Sequence, residues 1–400
     1  MAVTRSTIAL TRRLRRDIGA ETDAVDRHLA RQWVAAWDRL APAWRAASTE
    51  IAALAVAEGR WPTVHQIARS GAMDALEASR TELDKLSEET DTAASAGAER
   101  IVELDVDLEV RIIASQAPPT QQEALTRHAR RVREQEDEEP PDITDGGMVP
   151  PPTAADILGQ AAIAGLLAGR FEPSAVAAII ARAQGRIHAD TWPLAPDAEQ
   201  AMKDALIEGV IVGDHPEQVA RDMVARTETA FNGGLTRAMT ISRTEMLDAY
   251  RASSAYTHRA NADLVEGWEW YASTDRKTCS ACFARHGTVH PVTEPGPDDH
   301  PRGRCTRLPV LKTWEELGIN APEPPPVVLD GEKAFRRMTR ADQLAVLGPT
   351  RLALLDSGRI TWSDLATWRN NPSWRRSNQP TTVRDLQAIA DRTQEVSRVS

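Results

Sequence analysis

Apolar residues recur at helical spacing through most of the first 100 residues. Trp33 and Trp37 lie four positions apart and Trp44 follows seven positions later, so a helix carries all three near one face. We expect this face to be buried, because one-sided apolar periodicity is typical of packed helices. An exposed assembly surface is the alternative. The polar, alanine-rich residues 71–100 predict a long helix or a coiled-coil arm.

One short segment departs from this spacing. Residues 102–112, VELDVDLEVRI, alternate strictly between apolar and mostly charged side chains. A period of two residues is typical of a strand with one buried face. The pattern therefore predicts a strand, whose partner lies in a later β region of the chain or in another chain.

A change of composition divides the chain at residues 131–153, where an acidic run passes into proline- and glycine-rich sequence. Such a segment cannot bury enough apolar surface to fold, so we interpret it as a solvated, partly stiff linker. A docking segment is the alternative. Helices resume after it, with Thr153 as an N-cap and with prolines in the first turns at Pro173 and Pro216. Gly185 is expected near the end of the helix that starts at Pro173.

Composition narrows the class of protein. The chain has 400 residues and a net charge of -10, which argues against a general nucleic-acid coat. It contains no apolar run near the ~20 residues that a membrane span needs, so we expect no membrane contact. The basic N-terminus is too interrupted by polar residues for a signal peptide. The three cysteines are an odd number and are clustered, which favours metal ligands over a disulfide framework.

The cysteines form two candidate ligand pairs, Cys279-x2-Cys282 and His300-x4-Cys305. Two such pairs brought face to face make a tetrahedral Cys3His zinc site. His286 is an alternative to His300, but His300 is preferred because it pairs with Cys305. Reduced thiols without a metal are the remaining interpretation.

We expect this zinc to be structural. The deaminase order H-x-E then P-C-x-x-C is absent, and so is HExxH. GxSxG and P-loop motifs are absent as well, so no catalytic residue is predicted. A metal would instead close a loop too polar to hold its own core.

Together these patterns predict a mainly α protein with a helical N-terminal region, a linker, and a second helical domain with a small zinc-clipped β module. The last residues form a tail with two short helices, separated by Gly348-Pro349. The predicted regions are 1–130 (N-terminal assembly region), 131–153 (linker), 154–315 (second domain, with the zinc module at 268–310) and 316–400 (C-terminal helical tail).

Three motifs carry a family resemblance. They are SRTEMLDAYRASSAYTHR at 242–259, WEWYASTDRKTCSACFARHGTVHP at 268–291 and HPRGRCTRLPV at 300–310. In these motifs the chain resembles the phage Mu F-like family, the minor head or head morphogenesis proteins of tailed phages. The resemblance extends over roughly 155–315, the predicted second domain. The sequence departs from the family pattern at Gly303, where many members have a cysteine, and this makes His300 more necessary as a ligand.

The resemblance implies a minor capsid protein that associates with the portal vertex and assists procapsid assembly or DNA packaging. Its implied partners are the portal protein and other phage head proteins, and its place is the virion, after assembly in the host cytoplasm. DNA is a further partner if the cations around the cysteines form a local basic patch; these are Arg276, Lys277, Arg285, Arg302, Arg304 and Arg307. A second interpretation is a zinc-dependent hydrolase or capsid maturation protease that uses His286, His290 and Glu294.

Overall fold

The computed structural model describes residues 4–58, 60, 62–67, 69–116, 167, 172–211, 216–317, 328, 330–371 and 375–399. These residues are mainly helical with a few short antiparallel strands, which confirms the predicted mainly α class. The predicted linker and the Thr153 cap lie outside the described residues. No helix in the described ranges has both the length and the apolar character that crossing a membrane requires.

The chain divides into two compact units, and each combines segments that are distant in sequence. We call residues 18–101 and 178–249 the helical unit. The other unit contains residues 1–17, 102–177 and 250–400. By contrast, each region predicted from the sequence was one continuous stretch of the chain. The exact boundaries of these regions stay a prediction.

The helical unit is built from long helices and has an aromatic core. Its helices include α2 (Val64–Ile67) and α5 (Leu194–Ile211), together with most of α1 (Arg5–Glu58), α3 (Gly71–Ala114), α4 (Pro173–Thr191) and α6 (Pro216–Ala260).

The tryptophan face of α1 is buried, as its spacing predicted. Trp33 and Trp37 pack against Phe231, with ring centroids 6.0 and 5.4 Å away. The indole N–H groups are also satisfied: Trp33 donates to the Phe231 carbonyl at 3.0 Å, and Trp44 donates to Ser79 Oγ at 2.9 Å. The stripe is therefore core, and the alternative of an exposed assembly surface is wrong.

Two glycines of this unit lie inside helices. Gly185 lies inside α4, which continues to Thr191, and Gly234 lies inside α6. A Cβ at Gly234 would come within 3.1 Å of the Trp33 ring, so the absence of a side chain lets the two helices approach closely. A glycine inside a helix costs about 1 kcal/mol relative to alanine, and packing of this kind can offset it.

The Arg-Thr-Glu motif of α6 holds this unit together. Arg243 Nη1 donates to Asp26 of α1 at 2.9 Å, and Glu245 accepts from Arg186 of α4 at 3.0 Å. Glu245 is buried, and a carboxylate in such a place needs a paired charge. The motif thus has a structural role between helices.

The predicted strand at 102–112 is wrong, because these residues continue helix α3 to Ala114. Glu103, Asp107 and Arg111 are exposed at intervals of four residues, which is one helical face. Asp105 and Glu109 are fully buried. The charged residues therefore lie on two faces of one helix, one exposed and one buried. Read together along the sequence, the two faces give the alternation that favoured a strand.

A small sheet organises the second unit. Strand β1 (Val265–Tyr271) lies between β2 (Val289–Pro291) and β3 (Thr306–Leu311), antiparallel to both. The short helix α7 (Ser280–Arg285) follows β1. We call residues 265–311 the cysteine module. Its core contains Trp268, Trp270, Ala272, Cys282 and Cys305.

The C-terminal residues pack on this module. They form α8 (Gly331–Arg336), α9 (Arg340–Asp356), a 3-10 helix (Trp362–Leu365), β4 (Ala366–Arg369), β5 (Ser377–Pro380) and α10 (Val383–Val399). Phe283 of α7 contacts Phe335 of α8, with ring centroids 5.8 Å apart, inside one apolar cluster.

The predicted break at Gly348-Pro349 is confirmed as a kink within α9, where Gly348 has φ 72°. The hairpin pair β4–β5 was not predicted.

Candidate metal centre

The first ligand pair is shaped by the start of α7. Cys279 is the N-cap residue, and its Sγ accepts the backbone N–H of Cys282 at 3.4 Å. A cap geometry of this kind directs the side chain of the cap residue toward the first turn. The Cys-x2-Cys spacing therefore turns both sulfurs to the same place.

The second pair arrives on the loop between β2 and β3. His300 Nε2 lies 3.7 Å from Cys282 Sγ, while its Nδ1 lies 2.9 Å from the Pro301 carbonyl. A carbonyl can only accept, so Nδ1 carries a proton, and Nε2 would be the nitrogen that binds a metal. The ligand atoms of Cys279, Cys282 and His300 all lie within 4.8 Å of one another.

Cys305 belongs to a second group that includes Cys282. The ligand atoms of Cys282, Cys305 and Asp299 form a second cluster within 4.8 Å, and all three residues are buried. Cys282 is thus common to both clusters. Each of the other three predicted ligands shares one of the two clusters with Cys282, and neither cluster contains all four.

The donor set fits zinc. Bond lengths of about 2.3 Å to sulfur and about 2.0 Å to nitrogen place tetrahedral S and N ligands about 3.5 Å apart. The Cys282–His300 distance of 3.7 Å is close to this value. Three thiols and one imidazole are also the soft and borderline donors that zinc prefers. The binding of zinc itself stays a prediction.

Without a metal, Cys279, Cys282 and His300 share protons. A hydrogen bond from Cys282, together with His300, lowers the pKa of Cys279 to about 4. The hydrogen bond to Cys279 raises the pKa of His300 to about 9, and the same neighbour raises that of Cys282 well above its ordinary value. The cluster therefore favours a thiolate beside an imidazolium. A metal would displace the remaining protons, because its ligands are thiolates and neutral imidazole.

His286 lies elsewhere. Its Nδ1 accepts the backbone N–H of Ala272 at 3.1 Å, and its ring packs against Tyr271 at 5.3 Å. Burial lowers its pKa to about 4. Neither ligand cluster contains it, so the geometry favours His300 as the nitrogen ligand.

The residues considered for catalysis do not converge on the thiols. His290 stacks on Trp268, with ring centroids 4.3 Å apart, and its Nδ1 lies 2.9 Å from Glu294 Oε1. Neither His290 nor Glu294 belongs to the ligand clusters found within the described ranges.

The cations near the cysteines are divided between surface and interior. Arg276, Lys277, Arg302 and Arg304 are exposed, whereas Arg307 is buried over the Trp268 ring at 4.3 Å. Arg304 also pairs with Asp275 at 3.0 Å. Arg307 is thus unavailable to a phosphate, and the predicted patch is smaller than its sequence suggested.

Sequence reasoning missed Asp299 and Arg251. Asp299 is fully buried and accepts the Cys305 N–H at 3.1 Å and Arg251 Nη2 at 2.9 Å. Arg251 belongs to α6 and donates as well to the Gly303 carbonyl at 2.7 Å. Asp298 and Asp299 are adjacent in the sequence, but Asp298 is half-exposed, whereas Asp299 is buried. No local signal separates them.

A buried polar group on α3 and α6 was missed too. Glu109 Oε1 lies 2.5 Å from His258 Nε2, and Asp105 accepts from Ser254 at 2.8 Å. Arg307 Nε lies 3.4 Å from His258 Nδ1 and can only donate, so the ring proton is on Nε2. Burial raises the pKa of Glu109 to about 8 and lowers that of His258 well below its ordinary value. These side chains are all buried in the interior of the second unit.

Fold and site together define a mainly helical protein with a small cysteine- and histidine-bearing β module. Residues 200–308 match the family model described as Phage Mu protein F like protein. This segment of the chain is similar to the Mu F-like family, as the motifs indicated, and it contains all four predicted ligands. No curated protein and no solved structure matches the chain.

Proposed function

We propose that this protein is a minor capsid protein of a tailed phage, which associates with the portal vertex and assists procapsid assembly or DNA packaging. The observation that carries the proposal is the Mu F-like match over residues 200–308, which coincides with the cysteine module and with the Arg-Thr-Glu helix. The portal protein and other head proteins are its proposed partners. The virion is its proposed location.

We propose further that Cys279, Cys282, His300 and Cys305 hold one structural zinc ion. The metal would link the first turn of α7 to the loop that precedes β3. This loop, residues 292–305, is rich in proline, glycine and charge and has little apolar surface of its own. Metal binding would supply the free energy that such a loop lacks.

A structural role is favoured over catalysis by the number of ligands. Four protein ligands leave no position for a water or substrate, whereas a catalytic zinc keeps one open. A hydrolase or maturation protease would need His290 on the edge strand β2 and Glu294 just after it, which form a separate pair. The proposal also includes a contact with DNA through the exposed cations Arg276, Lys277, Arg302 and Arg304.

Metal content tests the zinc. Purified under reducing conditions, the protein is expected to contain one zinc per chain by inductively coupled plasma mass spectrometry, and Cys279→Ser is expected to lose it. A metal-free wild type would contradict the structural zinc site.

Assembly is tested separately. The tagged chain, co-expressed with the portal protein and major head protein of its phage, is expected to enter procapsids in few copies. Its absence from procapsids would contradict the proposed function. His290→Ala/Glu294→Ala is expected to leave head-protein processing unchanged; loss of processing would favour the protease.

A further inference from the structure

We propose that Asp299 and Arg251 are positioning residues of the metal site, which hold Cys305 in its ligating orientation and make glycine necessary at position 303. The proposal rests on the zinc site proposed above. Neither residue is offered as a ligand.

The first argument is the hydrogen-bond pattern around Cys305. Asp299 accepts the Cys305 N–H, and Arg251 donates to the carbonyl groups of Gly303 and Cys305, at 2.7 and 3.2 Å. Both sides of the turn are therefore held by one buried ion pair. A side chain attached to a backbone held at both ends has little freedom to point elsewhere.

The second argument is space. A Cβ built on Gly303 would lie 2.0 Å from Asp299 Oδ2 and 2.2 Å from its Cγ. The backbone of Gly303 does not have a positive φ, so conformation does not require glycine there. The carboxylate of Asp299 occupies the volume that a side chain at 303 would fill.

The third argument is charge. A zinc ion with three thiolates and one imidazole carries a net negative charge, and this charge would repel a carboxylate beside it. Arg251 neutralises Asp299 with a 2.9 Å contact at a site where both side chains are almost fully buried. The ion pair can therefore lie next to the metal without weakening its binding, whereas the charge of Asp299 without Arg251 would weaken it.

Cobalt substitution tests the hydrogen-bond role. Titration of the wild type with Co²⁺ should give the visible and near-ultraviolet bands of a thiolate-ligated tetrahedral site. Asp299→Asn should keep one Co²⁺ per chain and its thiolate charge-transfer bands, but should weaken binding about 10- to 100-fold. Cys305→Ser should lose part of the charge-transfer intensity, as a true ligand does. Unchanged affinity in Asp299→Asn would overturn the proposal, and so would altered d–d bands with the full thiolate charge-transfer intensity, because they would make Asp299 a ligand.

A double-mutant cycle tests the steric role and needs no metal. Gly303→Ala alone should lower the thermal unfolding temperature, and in Asp299→Ala the same substitution should cost little. Gly185→Ala is the matched control, since a Cβ there meets nothing within 4 Å. Equal effects of Gly303→Ala in both backgrounds would overturn the steric claim.

The two failures can be told apart. A wild type that binds neither zinc nor Co²⁺ contradicts the proposed zinc site and, with it, the positioning role. A wild type that binds metal with the same affinity as Asp299→Asn contradicts only the inference about Asp299.

Discussion

The helical unit and the cysteine module bury their side chains by different means. The helical unit centres on tryptophans that pack on Phe231 and need only one hydrogen bond for each indole. The cysteine module and the helix residues around it bury charges, which are satisfied by partners far away in sequence, such as Arg251 with Asp299. An apolar core can be recognised from periodicity in one segment, whereas a buried charge can be recognised only when its partner is known.

The largest effect is expected in the apolar core. Trp33→Ala should lower the free energy of unfolding by about 4 kcal/mol, because it leaves a cavity against Phe231 and removes the indole hydrogen bond to the Phe231 carbonyl. Urea denaturation followed by circular dichroism measures it. Val34→Ala is the matched control, since Val34 is 58% exposed and its loss should cost under about 0.5 kcal/mol. Similar losses for both would show that the aromatic core is not the main source of stability.

Removing one partner of the buried ion pair comes next. Arg251→Ala should cost about 3 kcal/mol, because the buried Asp299 charge is left without its guanidinium. The control is Arg304→Ala, whose ion pair with Asp275 is exposed and should contribute about 0–1 kcal/mol. The difference between the variants in thermal denaturation tests whether burial sets the effect. Equal losses would remove the contrast between the two pairs.

Glu269 offers a pH-dependent test of the module. Burial on the central strand raises its pKa to about 7, and Oε1 has no hydrogen-bond partner among the described residues. Between the ordinary pKa of about 4.5 and about 7, the folded protein keeps a proton that the unfolded chain loses, so stability falls as pH rises. Glu269→Gln should therefore match the wild type near pH 4.5 and gain up to about 3 kcal/mol above pH 7.

Thermal denaturation of both proteins across this pH range measures the gain. A difference that does not change with pH would show that Glu269 is not buried as a carboxyl group. Trp270→Phe, a neighbour without a titratable group, should show the same pH slope as the wild type.

Two glycines should give small effects of opposite sign. Gly348→Ala should cost about 1–2 kcal/mol, because φ 72° and ψ 166° suit glycine almost alone. Gly185→Ala should gain about 0.5–1 kcal/mol, since it lies inside α4 with open space around its Cα. Differential scanning calorimetry distinguishes the signs. A gain at 348 would contradict the kink.

Much of the helical framework follows from local signals. Pro173 and Pro216 start helices, Gly348 interrupts one, and the spacing of Trp33, Trp37 and Trp44 predicts the buried face. Each of these depends on backbone geometry or on side-chain period within a few residues. The Cys279-x2-Cys282 pair belongs to the same class, because one helical turn is enough to bring the sulfurs together.

Tertiary structure decided what local signals left open. Residues 102–112 form a helix because Asp105 and Glu109 find Ser254 and His258 about 150 positions away, a pairing that no local pattern contains.

The same reason applies at the candidate site. His300 rather than His286 faces the thiols, and Asp299 is buried, because the loop before β3 is held against Arg251 of α6. A polar side chain can either stay in water or be buried with a partner, and the sequence around it does not show which. Only the folded chain determines which of them leave water, since the free energy of burying a charge depends on the partner it meets there.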